Sequence, residues 1–185
     1  YCEPKGRVLA LMLVCRLADE FLVILSSELA QSVADRLKIY VMRSKVNIEV
    51  LNGHAVVGST AQTLPPGDSI LATIPVPESE NNLVVMGQDL AGNSDEAAQA
   101  AWKTSELYRG ITWLSTASSG EFIPQMLGFD QIGAVNFRKG CYPGQEIVAR
   151  THYLGKVKRH PRILNIEPVS CPAPLEKVQL LSDAQ

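Results

Sequence analysis

Between Glu28 and Val41 an apolar residue falls at every fourth position: Leu29, Val33, Leu37 and Val41. Ala30, Ala34 and Tyr40 widen the stripe. That spacing lines up one face of a helix and demands an apolar surface for it to cover. The flanking segments have the periods of strands. Val8 to Val14 and Phe21 to Leu25 are short apolar runs, and Val46, Ile48 and Val50 alternate with polar residues. Ser26 and Ser27 offer cap oxygens at the helix start. Asn52-Gly53 predicts a hairpin turn with a return strand over Ala55 to Gly58. Pro65-Pro66-Gly67-Asp68 predicts another turn, followed by strands over Ser69 to Ile74 and Asn82 to Met86. Strands, a helix, then more strands at turn-like spacing predict an α+β fold, with helices on one side of antiparallel sheet. A doubly wound parallel fold is disfavoured, because no glycine-rich phosphate loop follows a strand. A second helix is expected from about Asn93, with Glu96 completing a capping box and Gly110 as the stop. Beyond Gly120 the chain becomes glycine-rich with few helical signals.

Composition excludes several classes. A hydrophobic share of 46% against 19% charged residues is that of a globular chain, not a disordered one. No apolar run reaches membrane-spanning length. Cys2, Cys15, Cys141 and Cys171 form no CxxC pair and no zinc spacing, which fits a reducing compartment. His54, His152 and His160 make no metal signature, so no metal ligands are assigned. Tyr1 opens the chain on what reads as the interior of an element, as a portion of a longer protein would.

The net charge of −2 conceals a basic segment. Arg138, Lys139, Arg150, Lys156, Lys158, Arg159 and Arg162 are opposed there only by Glu146. Such a field attracts a polyglutamate, a phosphate or RNA, although a solvated basic face has the same composition. The segment lacks the interleaved aromatic residues of a single-strand binding platform, so direct RNA binding is not favoured.

Within that region lies the most specific feature of the chain, Lys139-Gly-Cys-Tyr-Pro-Gly-Gln-Glu146. Phe122-Ile-Pro-Gln125 and Gly128-Phe-Asp-Gln-Ile-Gly-Ala-Val135 precede it. Ile147-Val-Ala-Arg150, Tyr153-Leu-Gly-Lys156 and Lys158-Arg159 follow. Together with Lys5-Gly6-Arg7 and the Arg36 to Val46 segment, these blocks resemble the YgfZ-type folate-binding, tRNA-modifying family and its mitochondrial iron–sulfur assembly relatives. That family is related to the T-protein of glycine cleavage, an aminomethyltransferase. The resemblance implies a T-protein-like folate-binding fold with a partial C-terminal β-barrel. Residues 1–92 would form an α+β portion of the folate domain. Residues 93–160 would hold the helix and signature region, and residues 161–185 the start of the barrel. Tyr108 and Thr112 depart from residues common in the relatives.

The residues can be weighed individually. Cys141, bounded by Gly140 and Pro143-Gly144, reads as a loop thiol whose cationic neighbours favour the thiolate. It could attack an electrophile, exchange disulfides or bind iron transiently, and it is the catalytic candidate. A buried apolar cysteine is the alternative. Gly140 and Gly144 are expected to take backbone conformations closed to larger residues. Lys139 and Arg150 suit the glutamyl tail of a folate. Gln145 and Glu146 can pair with a pterin edge, or Glu146 can simply hold Arg150 across one helical turn. Tyr142 can stack or fill a core. Trp102 matches a folate-associated tryptophan of the family, while its indole would equally plug a helix–sheet core. Asp130 in Gly128-Phe-Asp-Gln is read as a turn cap, not a catalytic carboxylate.

The resemblance implies tetrahydrofolate or a polyglutamated folate as cofactor. It implies an accessory role in iron–sulfur cluster assembly or repair and in tRNA methylthiolation. Partners would be iron–sulfur clients or assembly factors, with an indirect link to tRNA-modifying enzymes and none to a membrane. The compartment would be bacterial cytoplasm, or mitochondrial matrix in a eukaryote. Two rival readings are a tetrahydrofolate-dependent aminomethyl or one-carbon transferase and a non-catalytic scaffold for a client or RNA. Whether the chain turns over a substrate stays open at this point.

Overall fold

The structure is a computed structural model that describes residues 1–60, 70–76, 79–91 and 95–164. It is α+β with antiparallel pairing throughout, as the alternation of periods predicts. The chain divides into two compact units: Met12–Leu107, and Tyr1–Leu11 together with Tyr108–Gln185.

The Met12–Leu107 unit begins with a hairpin of β1 (Leu13–Leu17) and β2 (Glu20–Ile24). The predicted strand at Val8 to Val14 has thus moved toward the C-terminus. Its register is set by the two-residue turn Ala18-Asp19, with Ala18 at φ 45° closing the Leu17–Glu20 pair. Val8 and Ala10 instead belong to the other unit. Next, α1 (Ser27–Lys38) buries Leu29, Val33 and Ala34, the stripe expected from the fourfold spacing. Ser26 occupies the cap position without a side-chain hydrogen bond. The helix stops before the stripe does. Tyr40 and Val41 bond back to Leu37 and Lys38 in tighter turns, and Ile39 and Tyr40 are exposed.

A three-stranded sheet completes this unit, with β3 (His54–Thr60), β4 (Ile70–Pro75) and β5 (Asn81–Gly87) in the order β3-β5-β4. The central strand β5 buries Val84, Val85 and Met86 consecutively, the pattern of a strand covered on both faces. The alternating run Val46 to Val50 forms no strand, contrary to expectation. Gly53, at φ 83°, does turn the chain, but β3 then pairs with β5 rather than with the preceding segment. Alternation marks a residue set able to lie on a sheet, whereas pairing is decided by which strand arrives alongside. The Pro65–Asp68 turn lies outside the described residues, as does Asn93. Helix α2 (Glu96–Tyr108) is capped by Asp95, whose carboxylate accepts the Ala97 N–H at 2.9 Å. Its chain turns at Gly110, φ 76°, where the stop is predicted.

The other unit is built around an irregular loop, residues 1–10, laced by backbone hydrogen bonds. Leu9 N–H donates to Tyr1 O and Glu3 N–H to Arg7 O. The same loop is fastened to the 119–122 segment: Val8 N–H donates to Phe122 O, and Gly120 N–H to Val8 O, each at 2.8 Å. Ser119 Oγ donates to Leu9 O, and the Arg7 guanidinium to the carbonyls of Gly120 and Glu121. Val8, Ala10, Leu114, Phe129 and Val148 form the buried core. A 3-10 turn over Pro124–Leu127 precedes α3 (Gln145–Leu154), a helix in a region with few helical signals. Residues 155–164 form no helix or strand and the described residues close no barrel; 165–185, most of the expected barrel start, lie outside the described residues. Among the described residues no helix is long and apolar enough to cross a membrane.

Candidate functional site: the Cys141 loop and α3

The signature block straddles a loop and the start of α3. Asn136 starts the loop by accepting the N–H groups of Arg138 at 2.8 Å and Lys139 at 3.1 Å on its side-chain oxygen. This is an Asx-type turn that fixes the approach to Cys141. Gly144 ends the loop at φ 81° and stands at the N-terminus of α3, where its carbonyl accepts the Val148 N–H. A Cβ there would lie 2.4 Å from the Glu3 carbonyl oxygen and 2.6 Å from the Gly6 Cα. Gly6, itself at φ 75°, meets Ile147 in the same way, at 2.8 Å. The Lys5-Gly6-Arg7 turn and the Pro143-Gly144 turn are thus pressed backbone to backbone, and both glycines are dictated by that contact. Gly140 differs from expectation: its φ is not positive, and a Cβ on it would meet nothing within 4 Å.

Cys141 is exposed on this braced loop, whereas Cys2 and Cys15 are half-buried. Cys141 is thus not a buried core cysteine. Cys171 lies outside the described residues. Burial pushes the Cys2 thiol above its ordinary range, against the pull of Lys139 nearby. Burial likewise raises the Cys15 thiol. Lys139 places its ammonium 4.7 Å from the centre of the Tyr142 ring, a cation–π contact. The Tyr142 hydroxyl is buried without a hydrogen-bond partner. Burial raises its pKa, and negative charge at Cys2 adds to the rise. Cys2, Lys139 and Tyr142 therefore share one electrostatic neighbourhood.

Helix α3 displays the remaining candidates. Gln145 is half-buried, while Glu146 and Arg150 are exposed. Glu146 in the first turn complements the helix dipole. The Glu146–Arg150 ion pair allowed by spacing is not made. Val148 is fully buried, and its carbonyl accepts the Gln125 amide at 2.7 Å. Gln125, 3% exposed, is the bracing residue that sequence reading passed over. A polar residue inside an Ile-Pro-Gln-Met-Leu turn was the available signal. Asp130 does not act as the expected cap: its Oδ1 is buried and unpartnered.

Trp102 belongs to the other unit and is half-buried on α2. Its indole ring lies on the backbone of Gly58 in β3, so closely that a Cβ there would come within 2.4 Å of the ring. One face of the tryptophan is thereby committed to packing.

The described cavity near the signature block is an open groove of about 560 Å³ between the 133–138 segment and His152 and Tyr153. Lys139, Tyr142, Gln145, Glu146 and Arg150 do not line it. The Phe137 ring stacks on the His152 imidazole with centroids 3.8 Å apart and 15° between planes. Tyr153 meets both edge-on, at 6.2 and 4.8 Å.

Fold and site define an α+β chain that presents Cys141, exposed, from a glycine-locked loop. No group of three or more potential metal ligands occurs among the described residues. No family model matches the chain. It is 28% identical over 187 residues to the tRNA-modifying protein YgfZ of Colwellia psychrerythraea, covering 86% of this chain and 56% of that protein. It is 29% identical over 171 residues to an uncharacterized protein of Haemophilus influenzae, covering 90% of this chain and 59% of that one. The chain therefore spans little more than half the length of these relatives. The resemblance carried by the signature blocks is borne out by this homology.

Proposed function

We propose that this chain is the folate-binding core of an accessory protein for iron–sulfur enzymes, including those that methylthiolate tRNA, with Cys141 as its working thiol. Homology to a protein named as tRNA-modifying supports the biological setting. The single observation that carries the chemical part is the position of Cys141, exposed on a loop locked by Gly144 while the other described thiols are half-buried. A thiol held this way is open to a client and serves as a nucleophile or a soft-metal ligand.

The residues fit a folate in a specific sense. Lys139 and Arg150 are exposed cations able to hold glutamyl carboxylates. The buried Tyr142 hydroxyl lacks a partner and can take a polar ligand atom. Gln145 and Glu146 supply the amide and carboxylate for a pterin edge. Trp102, in the Met12–Leu107 unit, is a separate candidate for a flat ring, and its packing on Gly58 leaves it only the opposite face of the indole. Tetrahydrofolate, when bound, supplies a carrier for one-carbon groups. The setting in this reading is bacterial cytoplasm or mitochondrial matrix.

The test is Cys141→Ser in cells lacking the native protein. The variant should fold and bind reduced folate yet fail to restore iron–sulfur enzyme activity. Full restoration at matched expression refutes the thiol role. Aminomethyl turnover with tetrahydrofolate by the purified protein would replace the accessory reading with a transferase.

A further inference from the structure

In linear sequence the aromatic residues Phe137, His152 and Tyr153 stand at separate places along the basic segment, and folding gathers them. Phe137 precedes the cysteine loop, whereas His152 and Tyr153 end α3, and the structure stacks the first two and sets the third against both. His152 and Tyr153 are exposed, Tyr153 by 66%. Arg138 lines the groove beside them. Directly after α3 the chain runs without helix or strand through Lys156, Lys158, Arg159 and Arg162, all exposed. An extended residue spans at most about 3.6 Å, so Lys156 lies within roughly 11 Å of Tyr153 along the chain and Arg159 within roughly 22 Å. From Gly133 to Leu164, Glu146 is the one acidic residue.

We propose that this ledge binds single-stranded RNA, with a base stacked on the Phe137–His152–Tyr153 cluster and the phosphate backbone following the cations of 156–162. Every base has a π-face, so an aromatic ledge accepts RNA with little sequence preference, while cations along the strand supply affinity. The run of cations selects the occupant. A small flat anion needs one or two of them, whereas a strand carries a charge at every nucleotide. The inference goes beyond the folate reading and uses neither Cys141 nor the folate candidates.

The experiment is fluorescence anisotropy of the protein with a labelled single-stranded oligoadenylate of about twelve nucleotides, within the span of one such platform. Tyr153→Ala and His152→Ala should each weaken binding about fivefold or more, with circular dichroism unchanged and Tyr153→Phe restoring affinity. Lys158→Gln should reduce the slope of log affinity against log salt by about 0.7. A duplex of the same composition should bind more weakly, because its bases are already stacked. Inorganic polyphosphate that competes equally against wild type and Tyr153→Ala, with both alanine variants retaining full RNA affinity, would reduce the site to a charged face and overturn the proposal. No binding at low salt overturns it outright. Loss of reduced-folate binding in both alanine variants, with RNA affinity intact, would reassign the rings to folate. Failure of RNA binding with folate affinity intact leaves the proposed function standing.

Discussion

Replacing Gly144 with alanine tests the backbone lock around Cys141. Two costs are visible. An L-residue at φ 81° is in the left-handed region, which costs about 1–2 kcal/mol. The new methyl would also sit 2.4 Å from the Glu3 carbonyl oxygen and 2.7 Å from the Gly6 nitrogen. Both are backbone atoms, so relief requires the 3–6 turn to move, and such overpacking typically costs about 1–3 kcal/mol. The sum, roughly 2–5 kcal/mol, is a large part of ordinary domain stability. With a urea slope of about 2 kcal/mol per molar, the denaturation midpoint should fall by about 1 M or more. Gly140→Ala, three residues before the proline in the same block, is the control. It meets no atom within 4 Å and has no positive φ, so it should be neutral or slightly stabilising. Urea unfolding followed by circular dichroism compares the two directly. Amide exchange at Val8 and Gly120 should accelerate in Gly144→Ala, because those N–H groups tie the displaced loop to the 119–122 segment. Equal midpoints for the two variants would refute the interlock.

Gly58→Ala should destabilise the Met12–Leu107 unit by about 1–3 kcal/mol by driving a methyl into the Trp102 ring, and Trp102→Ala should relieve that clash in the double variant. A purely additive double-variant result would show that the two do not touch. Iodoacetamide at pH 8 should label Cys141 before Cys2 and Cys15, since Cys141 is exposed and burial raises the other two thiols; peptide mapping reads the order, and early labelling of Cys2 would contradict it. The folded state raises the Cys2 pKa, so its contribution to stability is fully present below the ordinary thiol value of 9.0 and is lost as pH rises through the folded value. Denaturation midpoints at pH 8 and above pH 10 should therefore differ less in Cys2→Ala than in wild type. Lys139→Gln should weaken binding of polyglutamated folate more than of the monoglutamate, measured by calorimetry; equal losses would point away from the tail.

What was legible in the sequence was whatever depends on neighbours a few residues away. The α1 stripe, the glycine stop at Gly110 and the strand at Asn82 to Met86 are local patterns, and each appears where expected. Val46 to Val50 has an equally good local pattern and pairs with nothing among the described residues, because β5 takes β3. The glycines of the signature block looked alike in sequence. Only the approach of a turn more than a hundred residues away makes Gly144 indispensable and leaves Gly140 in open space. The aromatic ledge was hidden for the same reason, since Phe137 meets His152 and Tyr153 only after α3 folds back. Cys141 stood out by motif, but its exposure, and the half-burial of Cys2 beside Lys139, are properties of packing.

The lock between residues 3–6 and 144–147 also sets an order in time. The unit that carries Cys141 is interrupted by the whole of Met12–Leu107, which is synthesised between its two parts. At about 5–20 residues per second, a ribosome needs roughly 5–20 s to synthesise the intervening segment. During that interval the contacts of Val8 with Gly120 and Phe122, and of Gly6 with Ile147, cannot form, since those residues do not yet exist. The loop around Cys141 therefore takes its braced form only after synthesis has passed Ile147.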